Sequence, residues 1–273
     1  MTNPEQHLSA AQKIAGKLHA ARTLYDMIRW FRNWDAVWSC YRRRSPLPPL
    51  EFRAGFVLHH GQWDDPMGLV YDAYAHGLYS RDLPRDLAGT MIDIGANIGL
   101  VSLEFAVRWK NLRIFAYEPN PSTNVLLRRN IEAGGFNGRV MVYGEAVGRC
   151  HGTLDLWTDV QSVAATGHSQ VPPAADARSV QVPMIDLNEA VERAGANTIA
   201  MVKIDAEGAE ADILESATQS TLAAFERVTL EYHEWLCQDA LVRCRRVLEG
   251  ADFKIRIQPS DRPDMGMLYA WRG

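Results

Sequence analysis

The sequence has no cysteine pair at redox or metal spacing, no GxGxxG turn, no excess of basic charge and no long apolar run. Its four cysteines, Cys40, Cys150, Cys237 and Cys244, show neither a CxxC motif nor a disulfide framework. They read as reduced thiols of a cytoplasmic protein. With no run near about 18 apolar residues, no transmembrane span is expected, and the polar N-terminus fits no signal peptide. A formal charge of −4 argues against general nucleic-acid affinity.

What the chain does have is 47% hydrophobic residues in a length of 273. That is enough for one large domain with an added end, or for two small ones. Residues 1–53 carry nine Lys and Arg against four Asp and Glu, and the remainder 20 against 29. A solvated helical face accounts for the basic end, with an anionic partner or membrane surface as the alternative. Across 5–41, Leu18, Ala21, Leu24, Tyr25, Ile28, Phe31 and Trp34 recur every three or four residues, which predicts a helix. Trp30, Trp38 and Tyr41 add aromatic surface, suited to packing on the rest of the chain or to a homo-oligomer built through this helix. Pro46, Pro48 and Pro49 then stop it. A short strand is expected in "FRAGFVLHH", and a short helix in "DPMGLVYDAYAHGLY" with Asp65 as N-cap and Pro66 first.

From residue 90 the pattern becomes strand, turn, helix, repeated. "TMIDIG", "LRIFAYE", "RVMVYGEAVG", "TIAMVKID" and "RVTLEYHE" predict five strands. "IGLVSLEFAVRW", "PNPSTNVLLRRNIEAGG", "AEADILESATQSTLAAF" and "WLCQDALVRCRRVLEG" predict helices, the second capped by Asn120 and ended by Gly134–Gly135. "FKIRIQ" and "MGMLYAWRG" close the chain as a hairpin-like pair. Such alternation means an α/β protein whose mostly parallel sheet is covered on both faces. An insertion at about 150–184 adds two strands. It is expected above the carboxyl ends of the sheet, where open α/β folds bind ligands. His151 and His168 border it.

Four stretches carry chemistry. "DIGANIG" is a glycine turn straight after a strand, with Gly95 for the tight bend and Gly99 for close approach. Asn97 stands where a pyrophosphate would want a glycine, which disfavours a dinucleotide; Asp93 would suit a charged amine. Glu118 ends the next strand and can accept two hydrogen bonds from a ribose diol. In "KIDAEGAE", strand alternation puts Lys203 and Asp205 on one side, with Glu207 in the turn that follows. Glu231 and His233 end the neighbouring strand, again two apart. Five titratable groups thus converge on one sheet edge, as a catalytic set or as an ion-pair network.

"MIDIGANIGLVSLEFA", "IFAYEPNPSTNVLLRRNI", "AMVKIDAEGAEADILESA" and "VTLEYHE" resemble the FkbM family of S-adenosylmethionine-dependent methyltransferases, over roughly residues 88–235. The resemblance implies a Rossmann-like class I sheet of seven strands, the last antiparallel, preceded by a helical N-terminal extension. It implies that Asp93, Gly95, Asn97 and Gly99 form the turn under the methionine part of the cofactor and that Glu118 binds its ribose. Glu145 and Ala146 would lie near adenine.

Methyl transfer from a sulfonium is an in-line displacement, so alignment matters most, and a hydroxyl acceptor also needs a base. His233 is the simplest base, oriented by Glu231 or Asp205; Asp205 tuned by Lys203 is the other choice. The carboxylates also admit a divalent cation, although no single spacing demands one and no metal ligands are assigned. The expected organisation is an extension with a short strand over 1–85 and a catalytic domain over 86–273. The expected activity is O-methylation of a small-molecule natural product or saccharide, a class that the resemblance alone supplies. N-methylation and a cofactor-binding assembly module without turnover are the alternatives.

Overall fold

The segments "MIDI", "IFAY" and "MVKI" bury every residue, as strands covered on both faces must. Two of those buried residues are Asp93 and Lys203. The computed structural model describes residues 10–61, 66–158, 178–260 and 262–272. Asp65 and His168 lie outside the described residues. The chain divides into two compact units, Met1–Leu58 and His59–Gly273.

In the first unit the expected single helix is two, α1 (Ala10–Trp30) and α2 (Trp34–Arg43). The apolar spacing runs straight through the break, but the backbone at the break pairs elsewhere. Arg32 N donates to Glu51 O at 2.7 Å, and Arg53 N to Trp30 O at 2.7 Å. The partner is a hairpin of β1 (Leu50–Phe52) and β2 (Phe56–Leu58) in place of one strand. Phe31 stands edge-on to Phe52, which stacks on Phe56. Leu18 and Tyr25 of the predicted stripe are exposed.

The second unit opens with α3 (Pro66–Leu69), which runs into a π-helical stretch, Val70–Ala75. It continues with β3 (Gly89–Ile94), α4 (Leu100–Arg108), β4 (Leu112–Tyr117), α5 (Pro121–Ala133) and β5 (Val140–Tyr143). Asn120 caps α5 as expected, its Oδ1 accepting from Ser122 N and Thr123 N. The expected third strand is split. Only β5 pairs with β4; past Gly144 the chain leaves the sheet and forms β6 (Ala146–Gly148). β6 joins the insertion strands β7 (Gly152–Thr158) and β8 (Arg178–Asp186) in a second sheet of order β6-β8-β7.

A helix absent from the sequence reading follows, α6 (Leu187–Ala194), whose N-cap Asp186 accepts from Glu189 N at 2.9 Å. After β9 (Met201–Ile204), the helix expected next is two pieces, α7 (Glu210–Ser216) and α8 (Gln219–Ala223), because Thr218 caps a fresh start. β10 (Arg227–His233) leads to α9, which begins only at Ala240 and ends at Gly250, leaving Trp235 and Cys237 in a turn. β11 (Lys254–Pro259) and β12 (Met265–Trp271) close the chain.

The main sheet has seven strands in the order β11-β12-β10-β9-β3-β4-β5. β12, the last strand, runs antiparallel to both neighbours, and the pairs from β10 to β5 are parallel. Its register puts Ile94 opposite both Tyr117 and Ile204, and Ile204 opposite Leu230. The carboxyl ends of β4, β3 and β9 are therefore level, and β10 runs past them from Leu230 to His233, which is what brings distant residues into one site. Apolar side chains of the sheet and its helices, among them Ile92, Val202, Leu214 and Leu248, form a continuous core. Each such side chain contributes about 1.5–3 kcal/mol by leaving water. Among the described residues no helix is long and apolar enough to cross a membrane.

Candidate active site

β3 ends at Ile94, and the chain must turn sharply to start α4. Gly95 makes that turn at φ +73°, and a Cβ there would collide with the carbonyl oxygen of Asp205. No other residue fits. Gly95 N and Ala96 N both donate to Tyr117 O at 3.0 Å, tying the turn to β4. Gly99 serves packing: a Cβ there would lie 2.6 Å from Leu127 of α5.

Glu118 follows β4 and is 6% exposed. One carboxylate oxygen accepts from Asn97 N and the other from Asn120 N, each at 2.9 Å. Burial raises its pKa to about 7 against these hydrogen bonds, which pull the other way. Each oxygen keeps a lone pair.

Lys203 lies under the turn. Its Nζ donates to Gly95 O at 2.6 Å and to Ile94 O at 3.2 Å. It pairs with Asp93 at 3.3 Å and Asp205 at 3.6 Å, and lies 5.3 Å from the centre of the Tyr79 ring. Burial opposes its charge, but Asp93 and Asp205 outweigh burial and its pKa is raised. Asp93 is fully buried and takes a second bond from Ser102 Oγ at 2.6 Å.

Across the edge, the Tyr79 hydroxyl lies 2.9 Å from Asp205 Oδ2 and 3.3 Å from Glu231 Oε2. Burial first, then the charges of Asp205 and Glu231, raise the Tyr79 pKa, so the phenol stays a donor. Burial and the Asp205 charge likewise lift Glu231 to about 7. His233 is 4% exposed; its Nδ1 meets Glu210 Oε1 at 2.9 Å, and its Nε2 has Glu207 Oε2 at 3.8 Å. Burial works against its charge, yet Glu210 and the neighbouring carboxylates raise its pKa to about 9. Glu210 is fully buried and also accepts from Ala206 N and Gly208 N.

These groups surround a cavity of about 630 Å³. Of the residues singled out in the sequence, Gly95, Asn97, Glu118, Ala146, Lys203, Asp205, Glu207, Glu231 and His233 line it. Asp93, Gly99 and Glu145 are not among its lining residues. Asp93 is taken up by Lys203 and Ser102, and Glu145 accepts from Arg193 at 2.7 Å. The insertion contributes Leu154 and Leu156, and Trp235, 49% exposed, also lines the cavity. Sequence reading missed Tyr79 and Glu210 as site residues. Tyr79 closes a stretch read as a short helix, with nothing in it to mark a site, whereas Glu210 stood in the same acidic run as Asp205.

Residues 93–255 match the Methyltransferase FkbM domain. The chain belongs to the FkbM methyltransferase family. It is 23% identical over 207 residues to Methyltransferase 1 of Beauveria bassiana (strain ARSEF 2860), covering 65% of this chain and 78% of that protein. Among solved structures, it is similar to a methyltransferase FkbM from Methylobacillus flagellatus KT, with 16% identity and a TM-score of 0.51. That match covers 95% of this chain and 60% of the other. A precorrin-6y C5,15-methyltransferase from Geobacter metallireducens GS-15 matches at 17% identity and a TM-score of 0.45, over 74% of this chain and 88% of that one. The seven-stranded sheet with its reversed last strand is thus the Rossmann-like methyltransferase fold, and the protein is a methyltransferase.

Proposed function

We propose that this methyltransferase transfers the methyl group of S-adenosylmethionine to a hydroxyl of a small molecule or saccharide. The observation that carries the reading is Glu118, fixed by two backbone amides at the end of β4 beside a turn that only glycine fits. A carboxylate held that way, with a lone pair left on each oxygen, suits the two hydroxyls of a ribose. Gly95 and Asn97 line the same cavity, and Ala146 with Val147 offers an apolar wall for adenine. When bound, the cofactor supplies a methyl group already activated on a sulfonium, with a neutral thioether as leaving group.

The chain's own residues then position and deprotonate. Lys203 and Asp93 hold the glycine turn against β9, and Gly99 lets α4 close on α5. Asp205 and Glu231, bridged by the Tyr79 phenol, are the carboxylates that take the acceptor's proton, since Glu210 keeps His233 protonated. Glu207 borders them. Glu145 remains with Arg193 in support of the adenine wall. The catalytic apparatus belongs to residues 86–273, with Tyr79 reaching in from the segment before it.

The supporting experiment is transfer from methyl-labelled cofactor to a panel of alcohols and glycosides, with mass analysis of products. Asp205→Asn should lower kcat by about 10²–10⁴-fold, as for a lost general base, with little change in cofactor affinity. The surplus of carboxylates would also receive a cationic amine, so amines belong in the panel. Products methylated only on nitrogen would replace the hydroxyl reading with that one.

A further inference from the structure

Asp205, Glu231 and His233 each offer a ligand atom within 4.8 Å of the other two. They come from the ends of two paired strands, β9 and β10, so the backbone fixes their separation. Oxygen and nitrogen ligands bind small divalent ions at about 2.0–2.2 Å, which sets ligands roughly 3–4 Å apart; modest rotamer changes reach that. An acidic cluster alone says little, but two further features concern His233. It is almost wholly buried, and Nδ1 is engaged by the fully buried Glu210. Nε2, 3.8 Å from Glu207 Oε2, is the nitrogen for a ligand in the cavity, and a cation that binds there displaces the Nε2 proton to solvent. Metal-binding imidazoles are held this way, with the other ring nitrogen donating to a carboxylate. Glu210 Oε2 is also buried without a hydrogen-bond partner among the described residues, an excess of negative charge directly behind the ring.

The cations lining the cavity are already engaged. Arg262 pairs with Asp264 at 3.2 Å, outside the lining. Lys203 divides its charge between Asp93 at 3.3 Å and Asp205 at 3.6 Å, so one shared ammonium faces the Asp205, Glu207 and Glu231 carboxylates. Asp205 and Glu231 face one another around a single phenol, that of Tyr79. We propose that Asp205, Glu231 and His233 bind one divalent cation of the manganese or magnesium class, with Glu210 as the positioning residue behind His233. The inference rests on the methyl-transfer reading for the cation's role, which is to act as a Lewis acid at the acceptor's hydroxyl. The uncoordinated oxygens of the two carboxylates remain to take the proton.

The test uses the full chain, freed of metal by chelator and titrated with Mn²⁺, the free ion being followed by its paramagnetic resonance signal. One ion should bind per chain. Glu231→Gln should weaken binding about 10-fold or more, and Glu210→Gln, which touches His233 and the amides of the turn after Asp205 but not the cation, about 10–100-fold. Glu231→Gln is isosteric at a part-exposed position, so it keeps the test decisive where Glu210→Gln fails to fold. No uptake by the unaltered protein, or equal uptake by a Glu231→Gln variant of unchanged melting temperature, overturns the site. Calorimetry with S-adenosylhomocysteine separates the two claims. That ligand bound without Mn²⁺ uptake overturns the cation site and leaves methyl transfer standing; Mn²⁺ uptake without that ligand supports the site and overturns the cofactor reading.

Discussion

The ammonium of Lys203 donates to the carbonyl oxygen of Gly95 at 2.6 Å, so a buried charge from β9 holds the turn that follows β3. Lys203 therefore stabilises the frame of the site. Removing it leaves Asp93 buried with only Ser102 as partner. Breaking a buried pair in this way costs about 3–5 kcal/mol. Lys203→Met should lower Tm by on the order of 10 °C. Adding Asp93→Asn should restore part of that loss, since no uncompensated charge then remains. An unchanged Tm in Lys203→Met would show that the pair does not hold the turn.

Glu104 on α4 gives a pH dependence away from the reaction. Burial raises its pKa to about 7, with a bond from Ser80 and the charge of Arg108, 3.7 Å away, pulling the other way. The folded state thus holds this proton more tightly than the unfolded chain. Its contribution is fully present below about pH 4.5 and is lost as pH rises through about 7, by roughly 3 kcal/mol at most. Denaturant unfolding should show Glu104→Gln gaining on the parent between pH 5 and pH 8. Equal gaps at the two pH values would mean that Glu104 ionises normally.

Glu118 ties pH to cofactor affinity. Its pKa of about 7 means that it is largely protonated in mildly acidic solution, when one oxygen can no longer accept from a ribose hydroxyl. Affinity for S-adenosylhomocysteine should rise from pH 5.5 to pH 8 and then level. In Glu118→Gln the profile should be flat. A parent profile equally flat would remove the carboxylate from the binding step.

Strand ends were legible in the sequence because parallel strands are short, apolar and bounded by charge. Asp93, Glu118, Asp205 and His233 each stand where such a run stops, and the neighbouring strand ends bring the last three around one cavity. The breaks were less legible. Apolar spacing continues from Ile28 to Trp34 although the helix does not, because the hairpin competes for that backbone. "RVMVYGEAVG" reads as one strand, yet its two halves belong to different sheets. Tyr79 was invisible because its role depends on a fold-back to residues 126 and 152 positions away, which no local pattern encodes.

Calorimetric titration of S-adenosylhomocysteine into the unaltered protein and Glu118→Ala tests cofactor binding at this cleft most directly. The expected result is micromolar binding by the first and a loss of about 10-fold or more in the second, at equal Tm. That follows from hydrogen bonds to a charged group worth about 1.5–3 kcal/mol each. No binding by the unaltered protein, or equal binding by both, would contradict it.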